Sequence, residues 1–335
     1  MPIMRAFITG ATSGLGRNAL EYVRNRGWGA TACGRNPSIL ASLGPGPIAQ
    51  VDLTHLSVDQ ACALIQNHDT VWHCAALSSP WGSYTDFVSA NLTVSETLFE
   101  AAGKCQIPSF VYISTPALYF DFTHRYNLVE SQLAPKPVNH YATTKLAAER
   151  RLTQLAAQYP KTNLVILRPR AIFGPYDQVV LPRLLKLRNP HTGKLRLPRG
   201  GATKLDLTYV TNVVHAMMLA TTAGVPSASI YNITNDDPCT VQTALTQLLT
   251  KELGLPLCIK SVPYPVLASI AKILEVGAIF TGSEPRITPY SLGAISYDLT
   301  LSIAAAKRDL GYRPIVGMAD AYKLTAAWLK NHPNG

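Results

Sequence analysis

Charged residues are scarce in this sequence, at 15% of 335 residues, whereas hydrophobic residues make up 47%. This balance excludes a chain that is disordered throughout and favours a sheet with both faces covered. The length indicates two domains or one elaborated α/β domain. Acidic residues are the scarcer charge, since the formal net charge is +10. That excess would suit a nucleic acid, an anionic lipid or a small anion.

Cysteine occurs six times, without the spacing of a zinc site or a disulfide framework. A long apolar run is also missing, because Lys272 and Glu275 interrupt the most apolar stretch, 266–280. A glycine turn at Gly10 falls where the apolar region of a signal peptide would continue. These absences predict a cytoplasmic protein with no metal site and no transmembrane segment.

Short apolar runs and helical patterns alternate through the first half of the chain. The runs lie at 5–9, 30–33, 48–51, 71–74, 110–113 and 164–167, and the clearest helical patterns lie at 14–25, 87–104 and 141–159. This alternation predicts parallel strands joined by right-handed helical crossovers.

The pattern changes in the second half. Residues 183–199 are basic and interrupted by proline and glycine, which indicates a loop. Segments 206–210 and 229–233 are expected to return to the sheet. We predict a sheet domain over 1–178 that regains 204–236, and a smaller, mainly helical C-terminal substrate subdomain over 179–203 and 237–335.

A glycine-rich turn, Thr9-Gly-Ala-Thr-Ser-Gly-Leu-Gly16, joins the first predicted strand to the first helix. Glycine allows a tight turn, close approach to a pyrophosphate and close helix packing, and the helix N-terminus faces the anion. At this junction the motif predicts a doubly wound, Rossmann-type parallel sheet that binds a dinucleotide. The residues expected at the cofactor are Gly10, Thr12, Ser13, Gly14, Leu15 and Gly16.

No acidic residue occurs between Glu21 and Asp52, although NAD sites usually place one at the end of the second strand. That strand is followed instead by Arg35 and Asn36. A guanidinium there favours a 2′-phosphate through its charge and forked hydrogen bonds, and Arg17 would add a second positive charge. The sequence therefore predicts NADP (NADPH) rather than NAD, against the alternative of two solvated arginines.

Other strand ends have two interpretations each. Asp52, followed by Leu53, ends the third strand, where its carboxylate would accept a hydrogen bond from adenine or cap the next helix. Ala75 and Ala76 follow the fourth strand, where small side chains suit a cofactor crossing the strand ends or simple packing.

Tyr141 and Lys145 are four residues apart in a predicted helix and therefore share one face. Tyrosine titrates near pH 10, so acid–base chemistry near neutrality requires a shift of about three pKa units, roughly 4 kcal/mol. A lysine and a positively charged nicotinamide could supply it. Ser114 and Thr115 end the fifth strand, where a hydroxyl would hold a substrate oxygen beside the tyrosine or merely form a turn.

Together these motifs resemble the extended short-chain dehydrogenase/reductases, the NAD-dependent epimerase/dehydratase superfamily, over essentially the whole chain. The resemblance rests on the loop at 9–16, Asp52, Asn91, Ser114-Thr115 with Tyr119, Tyr141 with Lys145, and the segment 167–175. The loop departs from the commonest pattern, because Ser13 stands where many of these proteins have a glycine.

The resemblance implies hydride transfer to a ketone or from a secondary alcohol. Tyr141 would exchange the proton, Thr115 would bind the oxygen, and Lys145 would bind the nicotinamide ribose and lower the tyrosine pKa. Asn91 would serve the fold or a water relay, and satisfying backbone groups in its helix is an equal alternative. The family also implies a homodimer. Further cofactor contacts are expected from Ser114, Pro169, Ala171 and Ile172.

Shorter stretches resemble particular members of this superfamily. Segments 205–215, 230–234 and 310–314 resemble the 3β-hydroxysteroid dehydrogenase-like branch, and 80–84, 114–116 and 167–170 are similar to bacterial 2-alkyl-3-oxoalkanoate reductases. The implied substrate is largely apolar, either steroid-like or a β-keto acid. Candidate substrate contacts are Ser78, Trp81, Ala117, Tyr209 and Arg170, the last as a partner for a substrate carboxylate.

Two stretches keep alternative interpretations. The segment 266–280 is apolar around most of a helical circumference, which indicates a buried helix or a wall over an apolar substrate that touches a membrane surface. The basic stretch 183–199 is a solvated loop, or a site for a carboxylate, a phosphopantetheine arm or an acidic carrier protein.

Two other functions share parts of this pattern. A nucleotide-sugar epimerase or dehydratase would use the same tyrosine and lysine, but such enzymes usually hold NAD, which the missing acid disfavours. A non-catalytic NADP-binding regulator would typically lose the tyrosine. Nucleic-acid binding has no supporting module in the sequence.

Overall fold

The first half of the chain alternates strands and helices. The computed structural model describes residues 4–179, 181–281 and 283–332. Its elements up to residue 169 are β1 (Arg5–Thr9), α1 (Gly14–Arg24), β2 (Gly29–Gly34), α2 (Pro37–Ala41), β3 (Ile48–Gln50), α3 (Val58–Ile65), β4 (Thr70–His73), α4 (Tyr84–Phe87), α5 (Val94–Lys104), β5 (Ser109–Ile113), β6 (Arg125–Leu128), α6 (His140–Gln158) and β7 (Asn163–Pro169).

The second half mixes short strands with helices. Its elements are β8 (Ile172–Phe173), α7 (Leu181–Leu187), β9 (Lys194–Pro198), β10 (Lys204–Leu205), β11 (Thr208–Tyr209), α8 (Val210–Thr222), β12 (Ser229–Ile233), β13 (Cys239–Thr240), α9 (Val241–Leu245), β14 (Cys258–Val262), α10 (Tyr264–Thr281), α11 (Pro289–Ala294), β15 (Leu299–Leu301), α12 (Ala304–Asp309) and α13 (Met318–Asn331). Among the described residues, no helix is both long enough and apolar enough to cross a bilayer.

Seven strands form one parallel sheet in the order β12-β7-β5-β4-β1-β2-β3. The strand order reverses between β1 and β4, so the connections after these two strands diverge and open a crevice at the carboxyl edge. This arrangement confirms the predicted doubly wound α/β fold.

Both faces of the sheet are covered. Side chains of α1 and α8, such as Leu20 and Met217, pack on one face, and side chains of α5 and α6, such as Leu98 and Leu152, pack on the other. Strands β4 and β5 are buried along their whole length. Two covered faces explain why so few residues are charged.

Two expectations about individual elements were wrong. Segment 206–210 does not return to the large sheet, because β12 occupies the edge beside β7 and β11 pairs with β8 in a separate two-stranded ribbon. Segment 183–199 is not a loop throughout, because most of α7 and all of β9 lie within it. The helix predicted over 87–104 is present, with a π-helical turn at Val88–Thr93 between α4 and α5.

The C-terminal elements pack around a second core that includes Leu195, Leu245 and Met318. Two small sheets, β13-β10-β15-β6 and β14-β9, accompany its helices, so this part is less purely helical than expected. The division of the chain into two domains at the boundaries given above stays a prediction.

A buried ion pair ties α6 to the large sheet. Glu149 of α6 accepts two hydrogen bonds from Arg168 of β7, at 2.5 and 2.9 Å, and both side chains are almost inaccessible to water. Arg168 also donates to the hydroxyl of Tyr119 at 2.6 Å and to the backbone oxygen of Glu130 at 2.8 Å. Removing one partner of such a pair leaves a buried charge uncompensated. The pair therefore holds α6 firmly against the sheet.

Candidate active site

A cavity of about 1100 Å³ follows the carboxyl edge of the large sheet. The glycine loop and the ends of β2 and β3 line one end, and α7, α9 and α11 contribute to the other. Apolar side chains predominate in its walls. The cavity occupies the position at which doubly wound sheets bind their ligands.

Two glycines in the loop are required by geometry. Gly10 has a φ of +68°, and a β-carbon on Gly16 would lie 2.3 Å from the backbone oxygen of Gly10. Ser13 precedes α1 without capping it through its side chain, which leaves the N–H groups of the first turn available to an anion. The cavity is lined by all six predicted loop residues, Gly10, Thr12, Ser13, Gly14, Leu15 and Gly16.

Arg35 and Asp52 form an ion pair in the cavity lining, with 3.6 Å between nitrogen and oxygen. The Arg35 side chain is 76% exposed, so its charge is available to a ligand. Asp52 Oδ1 accepts hydrogen bonds from the hydroxyl and the N–H of Thr54, at 2.7 and 3.0 Å. These bonds, helped by Arg35, lower the pKa of Asp52. Asp52 thus caps the turn after β3, while its other oxygen faces Arg35.

Two residues predicted at the cofactor lie outside the cavity lining. Arg17 pairs with Glu21 at 3.4 Å and lies 4.0 Å from the ring centroid of Tyr176. Asn36 caps α2 by accepting the N–H of Ile39 at 3.1 Å. Both side chains are instead engaged by other residues of the protein. The other predicted strand-end residues, Leu53, Ala75 and Ala76, do line the cavity.

Lys145 is buried beneath the cavity, one helical turn after Tyr141. Its Nζ donates to the backbone oxygen of Ile113 at 2.5 Å and lies 4.2 Å from the ring centroid of Tyr112. The lysine is 2% exposed. Burial lowers the pKa of Lys145 to about 7, although the nearby Glu149 acts in the opposite direction.

Tyr141 and Thr115 bring two hydroxyl groups together at the cavity wall. Burial raises the pKa of Tyr141 to about 12, and hydrogen bonding with Thr115 opposes this shift. Oγ1 of Thr115 also accepts the N–H of Ala117 at 3.2 Å, which orients it at the end of β5. The buried hydroxyl of Ser114 has no hydrogen-bond partner among the described residues. The predicted tyrosine, lysine and threonine therefore converge on one wall.

Asn91 lies under the loop after β4 and not at the cavity. Its Oδ1 accepts the N–H of Leu77 at 2.8 Å, and its Nδ2 donates to the backbone oxygen of Leu77 at 3.1 Å. The Nδ2 also approaches the hydroxyl of Thr144 on α6 at 3.4 Å. These contacts satisfy backbone groups of the loop after β4 and not of the helix of Asn91, which fits a role for Asn91 in the fold.

A buried chain of hydrogen-bonded polar side chains lies beside Asn91. The hydroxyl of Thr9 contacts Nδ1 of His73 at 2.8 Å, Nε2 of His73 contacts Ser95 at 3.0 Å, and Ser95 donates to the backbone oxygen of Asn91 at 2.7 Å. Burial lowers the pKa of His73 to about 3, so the imidazole is neutral. The hydroxyl of Thr9 also accepts a hydrogen bond from the N–H of Ala75 at 3.0 Å, and this bond holds the loop after β4 in place. The residues come from distant segments, so no spacing motif reveals them.

Arg170 presents a buried guanidinium to the cavity. It is 9% exposed, its Nε has no hydrogen-bond partner, and no carboxylate among the described residues lies within ion-pair distance. Burial lowers its pKa, with Tyr290 and Asp206 opposing. Tyr290 of α11 interacts electrostatically with both Arg170 and Tyr141. No motif in the sequence indicates this tyrosine. A buried guanidinium with unused donors is suited to bind an anion.

Only some of the remaining residues predicted to contact the substrate lie at the cavity. Ser78 and Ala117 line the cavity, whereas Trp81 and Tyr209 do not. The ring of Tyr209 packs against Phe173 instead, with centroids 5.8 Å apart. The predicted nicotinamide contacts Pro169, Ala171 and Ile172 line the cavity next to Arg170.

The outer end of the cavity is formed by the two stretches that had alternative interpretations. Leu267 of α10 lines it, which fits a wall over the cavity. Arg183 and Arg196 of the basic stretch also line it, and Arg183 pairs with Glu284 at 3.1 Å.

Comparison with known proteins identifies close relatives. The sequence matches the model of the NAD dependent epimerase/dehydratase family over residues 6–234. It is 38% identical to the Escherichia coli protein YbjS, over 98% of each chain. It is 30% identical to a 2-alkyl-3-oxoalkanoate reductase of Stenotrophomonas maltophilia, over 96% of this chain and 98% of that one. Identity to the decarboxylating sterol-4-alpha-carboxylate 3-dehydrogenase of Mus musculus is 29%, over 76% and 73% of the two chains.

The fold also matches solved structures. The UDP-glucose 4-epimerase of Thermotoga maritima, solved with UDP-glucose, superposes with a TM-score of 0.77 at 20% identity, covering 99% of this chain and 100% of that one. At this identity the likeness concerns the fold alone. The family model and the relatives establish dependence on a nicotinamide dinucleotide and chemistry at CH–OH groups. The chain belongs to the NAD-dependent epimerase/dehydratase family of extended short-chain dehydrogenase/reductases.

Proposed function

We propose that this protein is an NADP(H)-dependent oxidoreductase that interconverts a ketone and a secondary alcohol on a largely apolar substrate. The observation that carries the proposal is the convergence of Tyr141, Thr115 and Lys145 on one wall of the cavity that also holds the glycine loop. Relatives that are a reductase and a sterol dehydrogenase support it.

The cavity fits a dinucleotide on three observations. The first turn of α1 is uncapped, Gly16 leaves no room for a side chain beside Gly10, and Ser114 keeps an unused buried hydroxyl. The glycine loop would hold the pyrophosphate, Arg35 the 2′-phosphate, and Lys145 the nicotinamide ribose. When bound, the nicotinamide supplies or accepts the hydride.

Tyr141 is placed to move the proton. In reduction its hydroxyl donates to the substrate oxygen, while the hydroxyl of Thr115 donates a second hydrogen bond to the same atom. Burial holds the pKa of Tyr141 near 12, so the tyrosine requires a nearby positive charge to exchange protons near neutrality. Lys145, one turn away, supplies that charge in its protonated form.

Replacing Tyr141 with phenylalanine removes the proton donor and keeps the ring. We expect Tyr141→Phe to lower kcat for ketone reduction by about 10²- to 10⁴-fold, with NADPH affinity unchanged in fluorescence titration. Tyr209→Phe, outside the cavity lining, is the matched control and should retain turnover. Full activity of Tyr141→Phe would refute the assignment, and turnover of UDP-glucose in place of ketones would favour an epimerase.

The buried lysine makes a prediction for stability. The pKa of Lys145 is about 7 in the folded chain, against 10.5 for an exposed lysine. Between these values the unfolded chain binds a proton that the folded chain does not, so Lys145 makes the free energy of unfolding rise with pH, by up to about 1.4 kcal/mol per unit. From pH 7 to 9, urea unfolding should show wild type gaining stability relative to Lys145→Met. If the free energies of unfolding of wild type and Lys145→Met changed in parallel with pH, the lysine would not be neutral when buried. Lys161→Met, at an exposed site, is the control for the loss of a charge.

Cofactor preference should depend on Arg35. Loss of a charge-assisted bond to a 2′-phosphate weakens binding by about tenfold or more. We expect Arg35→Ser to raise the KM for NADPH by that factor and to leave the KM for NADH unchanged. Arg17→Ser is the control, because its guanidinium is engaged by Glu21 and Tyr176. Equal losses with both cofactors, or none, would argue against the NADP assignment.

Within this function, Arg170 favours a 3-oxo or 3-hydroxy acid as substrate. The Nε of its buried guanidinium has no hydrogen-bond partner among the described residues. Tyr290 interacts electrostatically with both Arg170 and Tyr141, so these two residues belong to the same part of the cavity. A carboxylate close to the reacting carbonyl would satisfy Arg170 while the carbonyl oxygen met Tyr141 and Thr115. The name of the Stenotrophomonas relative describes a substrate of this kind.

The test compares a 3-oxo acid with the methyl ketone of the same chain length. We expect Arg170→Met to lower kcat/KM for the acid by about ten- to a hundredfold, the value of a hydrogen bond to a charged group, and to change the ketone little. Parallel losses on both substrates would show a structural role. No preference of the wild type for the acid would exclude a carboxylate at Arg170.

A further inference from the structure

Helix α10 (Tyr264–Thr281) exposes a set of large apolar side chains. Val266, Ile270, Ile273 and Phe280 are separated by four, three and seven residues and therefore share one face, which we call the apolar stripe. Their exposed fractions reach 71% at Ile273 and 86% at Phe280. Several large apolar side chains exposed on one helix face are typical of an interaction site.

The apolar stripe is not the face by which α10 packs on the protein. Leu267 and Ala271 lie on a different face, where they are buried against Leu292 and Ile287. Leu267 also lines the outer end of the cavity. Helix α10 is therefore a wall that meets the cavity on one face, and along the apolar stripe it has no partner among the residues that the structure describes.

The neighbourhood of the stripe is positively charged. Strands β9 and β14, helix α10 and residues 283–288 together contain five exposed cations, Lys194, Arg196, Lys260, Lys272 and Arg286, and two carboxylates, Glu275 and Glu284. Glu284 is already paired with Arg183. Arg196 and Lys260 are paired in register on neighbouring strands, so their charges add on one face of the ribbon. Strand β14 ends at Val262, just before α10, and Val262 packs in the same cluster as Leu267. The elements next to α10 therefore carry an excess of positive charge.

An anionic bilayer complements both features. An interfacial helix buries its apolar face among the lipid headgroups, while Lys and Arg beside it attract anionic lipids. A second copy of the chain would bring like-charged surfaces together. One face of an 18-residue helix, about 27 Å long, also offers less than the roughly 800 Å² per partner that stable dimers bury.

We propose that α10 docks on membranes that contain anionic lipids, with the apolar stripe among the headgroups and the outer end of the cavity beside the bilayer. The proposal rests on exposure and charge and is independent of the reaction proposed above. It assigns a surface function to the segment 266–280, which otherwise only walls the cavity.

Vesicle sedimentation tests the docking with full-length protein at low ionic strength. The probes are vesicles of phosphatidylcholine alone and of one part phosphatidylglycerol to two parts phosphatidylcholine. The stripe variant is Ile273→Ser with Phe280→Ser, and the matched control is Ile315→Ser with Leu324→Ser, since these side chains are 49% and 48% exposed elsewhere on the surface. A charge variant, Lys260→Glu with Lys272→Glu, tests the electrostatic part.

We expect wild type and the matched control to bind the phosphatidylglycerol vesicles, and the stripe and charge variants to bind at least tenfold more weakly. Circular dichroism and thermal unfolding should match between the variants, and Ile273→Ser alone replaces the double variant if it does not fold. Absence of wild-type binding, or equal binding by the stripe variant, would overturn the proposal. Sedimentation equilibrium that shows a dimer dissociated by the stripe variant would assign the surface to a second copy and also overturn it.

Discussion

Nζ of Lys145 donates to the backbone oxygen of Ile113 in a place almost closed to water. Burying this group is costly, because desolvation penalises its charged form. The site therefore requires a scaffold that cannot relax away from it. The buried pair of Glu149 and Arg168 provides this scaffold by fixing α6 to β7. Thr144 of the same helix also contacts Asn91.

This constraint gives the site its chemical character. Burial lowers the pKa of Lys145 and raises that of Tyr141, so desolvation drives both groups towards their neutral forms in the same part of the cavity. Proton transfer from Tyr141 near neutrality becomes favourable when Lys145 is protonated, because its positive charge stabilises the tyrosinate. The neutral His73 and its hydrogen-bonded chain lie behind this wall and hold the loop after β4 in place without adding charge.

The parts of the structure that could be predicted from the sequence are those set by local spacing. The glycine loop, the Tyr141–Lys145 pair and the strand ends follow from short-range patterns, because steric demands and helical periodicity act within a few residues. Arg17 lies outside the cavity lining, because its guanidinium contacts Tyr176, far along the chain. Tyr290, the His73 chain and the missing partner of Arg170 depend likewise on contacts between distant segments. The exposure of α10 was also not predictable, because its apolar sequence favoured a helix buried in the core, whereas Ile273 and Phe280 are exposed.

The central claim is that the convergence of Tyr141, Thr115 and Lys145 serves hydride transfer between NADPH and a carbonyl. The most direct measurement is mass spectrometry of the product formed from a 3-oxo acid with NADPH deuterated at one face of nicotinamide C4. The account predicts a 3-hydroxy acid that carries one deuterium at its carbinol carbon with one of the two deuterated cofactors and none with the other. A 3-hydroxy acid without deuterium from either cofactor, or the absence of any reduction of ketones or 3-oxo acids, would contradict it.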